Sequence, residues 1–136
     1  MMKAYKILIV EDDEDIVETV RYCLEVKGFV VEAAYDGLNA LRMARKNRYD
    51  LMLLDIMLPG KNGYEVSRIL KEEMDHGKIE PFPILVLTAR KVNSPEREDF
   101  LATWSKADEF MYKPFEMADL INKIRVHMEK ASAVPA

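Results

Sequence analysis

The sequence has one cysteine, Cys23, so no internal disulfide can form and a reducing compartment suits the chain. Long apolar runs are missing too. None approaches the ~20 residues that cross a bilayer, so no membrane association is expected. Positive charge is not in excess: a net charge of −4, with no basic stripe, offers nothing to neutralise nucleic-acid phosphates. Internal repeats and low-complexity segments are absent, and residues 1–6 lead into a strand-like run rather than a signal peptide. A cytoplasmic location follows as the expectation.

What is present is an ordinary globular balance, 49% hydrophobic and 32% charged, over 136 residues, the length of one domain. Residues 1–130 are expected to form that domain. The small, proline-containing stretch 131–136 reads as a tail or the start of a truncated linker.

The run Leu51-Met52-Leu53-Leu54-Asp55 reads as a strand buried on both faces, halted by Pro59-Gly60. Similar apolar runs occur at Ile7–Val10, Phe29–Ala33, Ile84–Thr88 and, shorter, at Glu109–Tyr112. Helical periods separate them. Ile16, Val20, Cys23, Leu24 and Lys27 precede a stop at Gly28, with Asp13 or Asp15 as cap. Asp36 caps a helix carrying Leu38, Leu41, Met43 and Ala44. A third runs from about Gly63 to Met74, with Tyr64, Val66, Ile69 and Leu70 inward, followed by an irregular loop to Pro83. Ser94-Pro95 opens a fourth that includes Phe100, Leu101 and Trp104, and Leu120, Ile121, Ile124 and Met128 mark the last. Strands and helices in alternation predict an α/β fold: a parallel sheet with right-handed crossovers and helices on both faces.

In such a sheet all strand carboxyl ends share one edge, where open α/β folds bind ligands. Asp55 alone could be a mere loop cap. Yet Glu11-Asp12 follow the first strand, Thr88 ends the fourth and Lys113 follows the fifth. Three carboxylates so placed repel one another, and a hard cation such as Mg²⁺ is the usual remedy. A lysine and a hydroxyl are donors for phosphoryl oxygens. The set suits an aspartate nucleophile that takes up a phosphoryl group.

The pieces Ile7-Leu8-Ile9-Val10-Glu11-Asp12-Asp13, Leu53-Leu54-Asp55-Ile56-Met57-Leu58-Pro59-Gly60 with Gly63, Leu87-Thr88-Ala89 and Lys113-Pro114-Phe115 occur in this order. Together they resemble the receiver domains of two-component response regulators, from about Lys6 to Lys130. The resemblance implies a flavodoxin-like, doubly wound (βα)5 fold with strand order 2-1-3-4-5. It implies Asp55 as phosphoacceptor, served by a sensor histidine kinase, a phosphotransfer protein or a small donor such as acetyl phosphate. Asp12 would bind Mg²⁺ directly, Glu11 mostly through water, and the backbone carbonyl of Met57 would add a ligand. Thr88 and Lys113 would hold the phosphoryl oxygens, and the Lys113-Pro114 bond would be cis. The chain would be no enzyme beyond catalysing its own phosphorylation and dephosphorylation. Thr88 and Phe110 would switch the surface of the fourth helix, fifth strand and fifth helix toward an effector or a homodimer. Phe110 lacks a tyrosine hydroxyl, so a switch driven by packing alone is expected.

Three features depart from the pattern or tune it. Lys106 stands where the family often has glycine, which deprives a helix end of its easy left-handed residue. The 75–83 loop is longer than usual. Met57 and Arg90 flank the site, where a methionine orients no water and an arginine partly covers the phosphoryl group, so slow self-hydrolysis is expected. Cys23 is expected in the core, and His76 and His127 on the solvated surface. A phosphatase of the haloacid-dehalogenase type is the rival reading, but it needs an aspartate where Met57 stands. A receiver that only binds partners fits poorly with intact Asp12, Asp55, Thr88 and Lys113.

Overall fold

A computed structural model describes residues 4–89 and 95–132. Five strands, β1 (Lys6–Val10), β2 (Val30–Ala34), β3 (Leu51–Asp55), β4 (Ile84–Ala89) and β5 (Glu109–Lys113), alternate with five helices. These are α1 (Glu14–Val26), α2 (Gly37–Lys46), α3 (Gly63–Asp75), α4 (Pro95–Ser105) and α5 (Met117–Ser132). The strands form one parallel sheet in the order β2-β1-β3-β4-β5, as the resemblance implies.

β3 lies at the centre and is buried at every position. Its side chains alternate between two cores. Met52 and Leu54 join Leu8, Val10 and Val86 beneath α2 and α3, where Leu41, Val66 and Leu70 close the layer. Leu51 and Leu53 join Ile7, Ile9 and Leu85 beneath α1 and α5, against Val20, Leu24, Leu120 and Ile124. Each side chain so buried contributes about 1.5–3 kcal/mol. β3 is thereby clamped from both faces, and Asp55 at its end inherits that rigidity.

Local signals set the helix starts. The Asp13 side chain, not that of Asp15, caps α1 by accepting from the amides of Asp15 and Ile16 at 2.9 and 3.3 Å. Asp36 caps α2 through the Asn39 amide at 2.7 Å, and Asn62 caps α3 through the Glu65 amide at 3.0 Å. The end of α4 is held from α3: Ser67 Oγ donates to the Ser105 carbonyl and Arg68 Nη1 to the Trp104 carbonyl, both at 2.8 Å. The proposed cap Ser94 lies outside the described residues, as does the structure of Arg90 and of 133–136.

Several expectations need correction. The inward line of α1 is Val17-Val20-Leu24, and Ile16 lies at its margin, 37% exposed. Leu38 is exposed at the first turn of α2. Cys23 is only half-buried and sits in the cleft between α1 and α5 instead of the core. His127 is not a solvated residue: its side chain is 10% exposed and faces Glu109 at 3.4 Å, because it stands one turn from Ile124 on the inner flank of α5. At Lys106 the expectation holds: the residue adopts the left-handed conformation, φ 60°, with no glycine to ease it.

Candidate functional site

The carboxyl ends of β1, β3, β4 and β5 converge on one sheet edge. The chain leaves β1 at Glu11, whose amide donates to the Ala34 carbonyl of β2 at 3.1 Å, so that residue still follows the sheet. Glu11 is consequently buried, at 4% exposure, whereas Asp12 beside it reaches solvent. Asp55 is 7% exposed and registers with Leu87, one residue short of Thr88. Carboxylate oxygens of Glu11, Asp12 and Asp55 lie within 4.8 Å of one another. From β5, Lys113 places Nζ 3.2 Å from Glu11 Oε1 and 3.6 Å from Asp55 Oδ1.

This crowding has an electrostatic signature. The Glu11 carboxyl is pushed up to about 7, by burial first and then by the Asp55 carboxylate, against the opposing pull of Lys113. Lys113 therefore offsets only part of the negative charge. A donor set of hard oxygens, one member open to solvent and two buried, fits Mg²⁺, which favours a few carboxylates and retains open positions. Thr88 is 9% exposed, and its hydroxyl donates to the Ala89 carbonyl at 3.2 Å. Thr88 registers with Tyr112, and Ala89 with Lys113, so hydroxyl and ammonium come from neighbouring strand ends.

Met57 begins the loop after Asp55 and exposes its side chain to 60%. The Ile56 carbonyl accepts from both Leu58 (3.0 Å) and Gly63 (2.9 Å), which folds the loop back on the strand end. The Lys113-Pro114 bond is cis, as the resemblance implies. Phe110 stands opposite Val86 and packs, partly buried, against the core beneath α2 and α3.

Sequence reasoning missed Lys113 pairing with Glu11 as well as with Asp55. It also missed Gly37, a buried glycine at the first turn of α2 whose φ is not positive. The signal available was a glycine at a helix start, where an alanine would serve better unless space were lacking.

The fold and the strand-end cluster define a class of protein, and comparison with known proteins agrees. The chain belongs to the response regulator receiver domain family, matched over residues 7–125. It is similar to Response regulator MprA of Mycobacterium ulcerans (strain Agy99), at 37% identity over 125 residues, covering 92% of this chain and 50% of that protein. The chain thus spans about half the length of that curated relative. Among solved structures it resembles the signal receiver domain of a signal transduction histidine kinase from Syntrophus aciditrophicus, with TM-score 0.86 and 27% identity over 98% of this chain and 96% of that one. It also resembles the BeF3-activated N-terminal receiver domain of RstA from Klebsiella pneumoniae, with TM-score 0.78 and 28% identity over 90% and 97% of the two chains. Among the described residues no helix is long and apolar enough to cross a membrane.

Proposed function

We infer that this chain is a phosphoacceptor whose Asp55 accepts a phosphoryl group from a histidine kinase or phosphotransfer protein. One observation carries the reading: a rigidly buried aspartate, a compact carboxylate cluster and a lysine meet at one sheet edge. Asp55 Oδ attacks phosphorus, the bond to the donor's imidazole nitrogen or acetyl oxygen breaks, and the leaving group departs with that electron pair. Asp12, Glu11, Asp55 and the Met57 carbonyl would hold Mg²⁺. Bound there, the ion neutralises the carboxylates and leaves positions for phosphoryl oxygens. Lys113 donates to the phosphoryl group, and the Thr88 hydroxyl exchanges its Ala89 partner for a phosphoryl oxygen. The chain is no enzyme in the ordinary sense; it catalyses its own phosphorylation and dephosphorylation.

The output follows as a two-state equilibrium biased by contacts that only the phosphorylated site makes. Thr88 and Phe110 couple the site to α4, β5 and α5. Exposed Phe100 (65%), Tyr112 (45%) and Val126 (47%), one on each of those elements, support a partner or homodimer surface there. Residues 1–130 would be the receiver unit, working in the cytoplasm beside an effector domain or protein.

Incubation with acetyl phosphate and Mg²⁺ tests the reading by intact mass. One phosphoryl adduct is expected, lost in Asp55→Asn and in excess chelator. Steady turnover of phosphate esters without Asp55 dependence would favour the phosphatase instead.

A further inference from the structure

We propose that Gly63 and Gly37 are positioning residues that set the reacting end of β3 and its loop. The inference rests on Asp55 being the phosphoacceptor, and it concerns what holds that residue in place. Gly63 opens α3 and is buried directly against the strand end. A Cβ there would fall well inside contact distance of the Asp55 carbonyl oxygen, 2.7 Å from Ile56 Cα and 3.0 Å from the Asp55 carbonyl carbon. All three atoms are backbone, so no side chain can swing aside. Restoring an ordinary 3.4 Å contact to Ile56 Cα alone requires a shift of about 0.7 Å, from 3.4 minus 2.7.

The backbone angle at Gly63 is not left-handed, and alanine is favoured over glycine within helices by about 1 kcal/mol. Space alone therefore demands the glycine, and the space is filled by the peptide of Asp55. The Gly63 amide donates to the Ile56 carbonyl at 2.9 Å, closing the loop that begins at Met57. Gly37 supports that loop from the other side. Its added Cβ would meet the Lys61 carbonyl oxygen at 2.7 Å and Val66 Cγ2 at 3.1 Å. The N-terminal ends of α2 and α3 thus pack glycine-first on the loop that carries Met57 to Gly63. Sites that hold reacting groups tolerate about 0.5 Å, and a misplacement of about 1 Å costs on the order of 100-fold.

The test compares the wild-type chain with Gly63→Ala, Gly37→Ala and a control, Gly77→Ala. Gly77 lies past the far end of α3 with φ 71° and nothing within 4 Å of an added Cβ, so alanine there strains the fold without touching the site. Mg²⁺ affinity is measured by calorimetry and the acetyl phosphate adduct rate by intact mass, both far below each melting temperature. Gly63→Ala should lose about tenfold or more in both readouts, and Gly37→Ala about threefold, while Gly77→Ala melts lower but matches wild type. A folded Gly63→Ala chain equal to wild type in both readouts overturns the inference, as does an equal loss in Gly77→Ala. Should Gly63→Ala not fold, an unchanged Gly37→Ala overturns it. A wild-type chain that takes up no phosphoryl group instead overturns the reading of Asp55 itself.

Discussion

Lys113 and Glu11, 102 residues apart in sequence, meet at 3.2 Å between Nζ and Oε1. The same ammonium stands 3.6 Å from Asp55. Its charge is therefore shared between Asp55, the proposed phosphoacceptor, and Glu11, a proposed metal ligand. Release from Glu11 on metal binding would free it for a phosphoryl oxygen.

Glu11 should make the metal-free fold weaken as pH rises. Its carboxyl is raised from 4.5 to about 7 by burial and then by Asp55. Between those values the folded chain keeps a proton that the unfolded chain has lost, so stability falls as pH climbs through the window, on the order of 3 kcal/mol in all. Glu32, Glu73 and Glu109 are lowered, chiefly by bonds from Tyr49, Arg45 and Lys123, so their contributions are lost only as pH falls below about 4.5. Thermal melts in chelator should show wild type losing stability relative to Glu11→Gln from pH 5 to 8. Added Mg²⁺ should stabilise wild type most at pH 8. Parallel curves for the two proteins contradict this.

Lys106→Gly should stabilise the fold. A left-handed backbone costs an L-residue roughly 1–2 kcal/mol, partly offset by the roughly 0.5–1 kcal/mol extra entropy that glycine loses on folding. The ion pair lost with Asp75, at 3.3 Å, is exposed and worth little. A gain of about 0.5–1 kcal/mol in denaturant midpoints is expected. A loss would mean that the Lys106 side chain contributes more than its backbone costs.

Phe110 should act by packing alone. Phe110→Tyr is expected to leave the phosphorylation-induced amide shifts of α4, β5 and α5 unchanged. A large change in their pattern, or in a phosphorylation-dependent dimer, would give the hydroxyl a role that this chain lacks.

The phosphoryl group should persist. Met57 exposes an apolar side chain beside the site and offers no strong hydrogen bond to an attacking water. Arg90, outside the described residues, completes the expectation from sequence. Met57→Asn with Arg90→Glu should shorten the half-life of the adduct, and an unchanged half-life would sink the idea.

Much of this was legible in the sequence because the signals are local. The apolar run Leu51–Leu54, the cap at Asp36 and the turn at Pro59-Gly60 each declare themselves within a few residues. Parallel topology then carries Glu11, Asp55, Thr88 and Lys113 to one edge, so the site could be read from the order of strand ends. What stayed hidden depends on packing between elements distant in sequence. His127 faces Glu109 only because α5 lies over β5, and Gly63 matters only because α3 abuts the Asp55 peptide. Ile16 and Leu38 misled for the opposite reason: they fit the helical period but stand in the first turns of α1 and α2, where both side chains stay exposed.

The most direct measurement locates the phosphoryl group. The chain is treated with acetyl phosphate and Mg²⁺, reduced with borohydride to convert an acyl phosphate to the alcohol, digested and sequenced by mass spectrometry. The account predicts a single modified side chain, Asp55. Modification at Glu11, Asp12, His76 or His127 with Asp55 untouched would contradict it, as would the absence of any adduct.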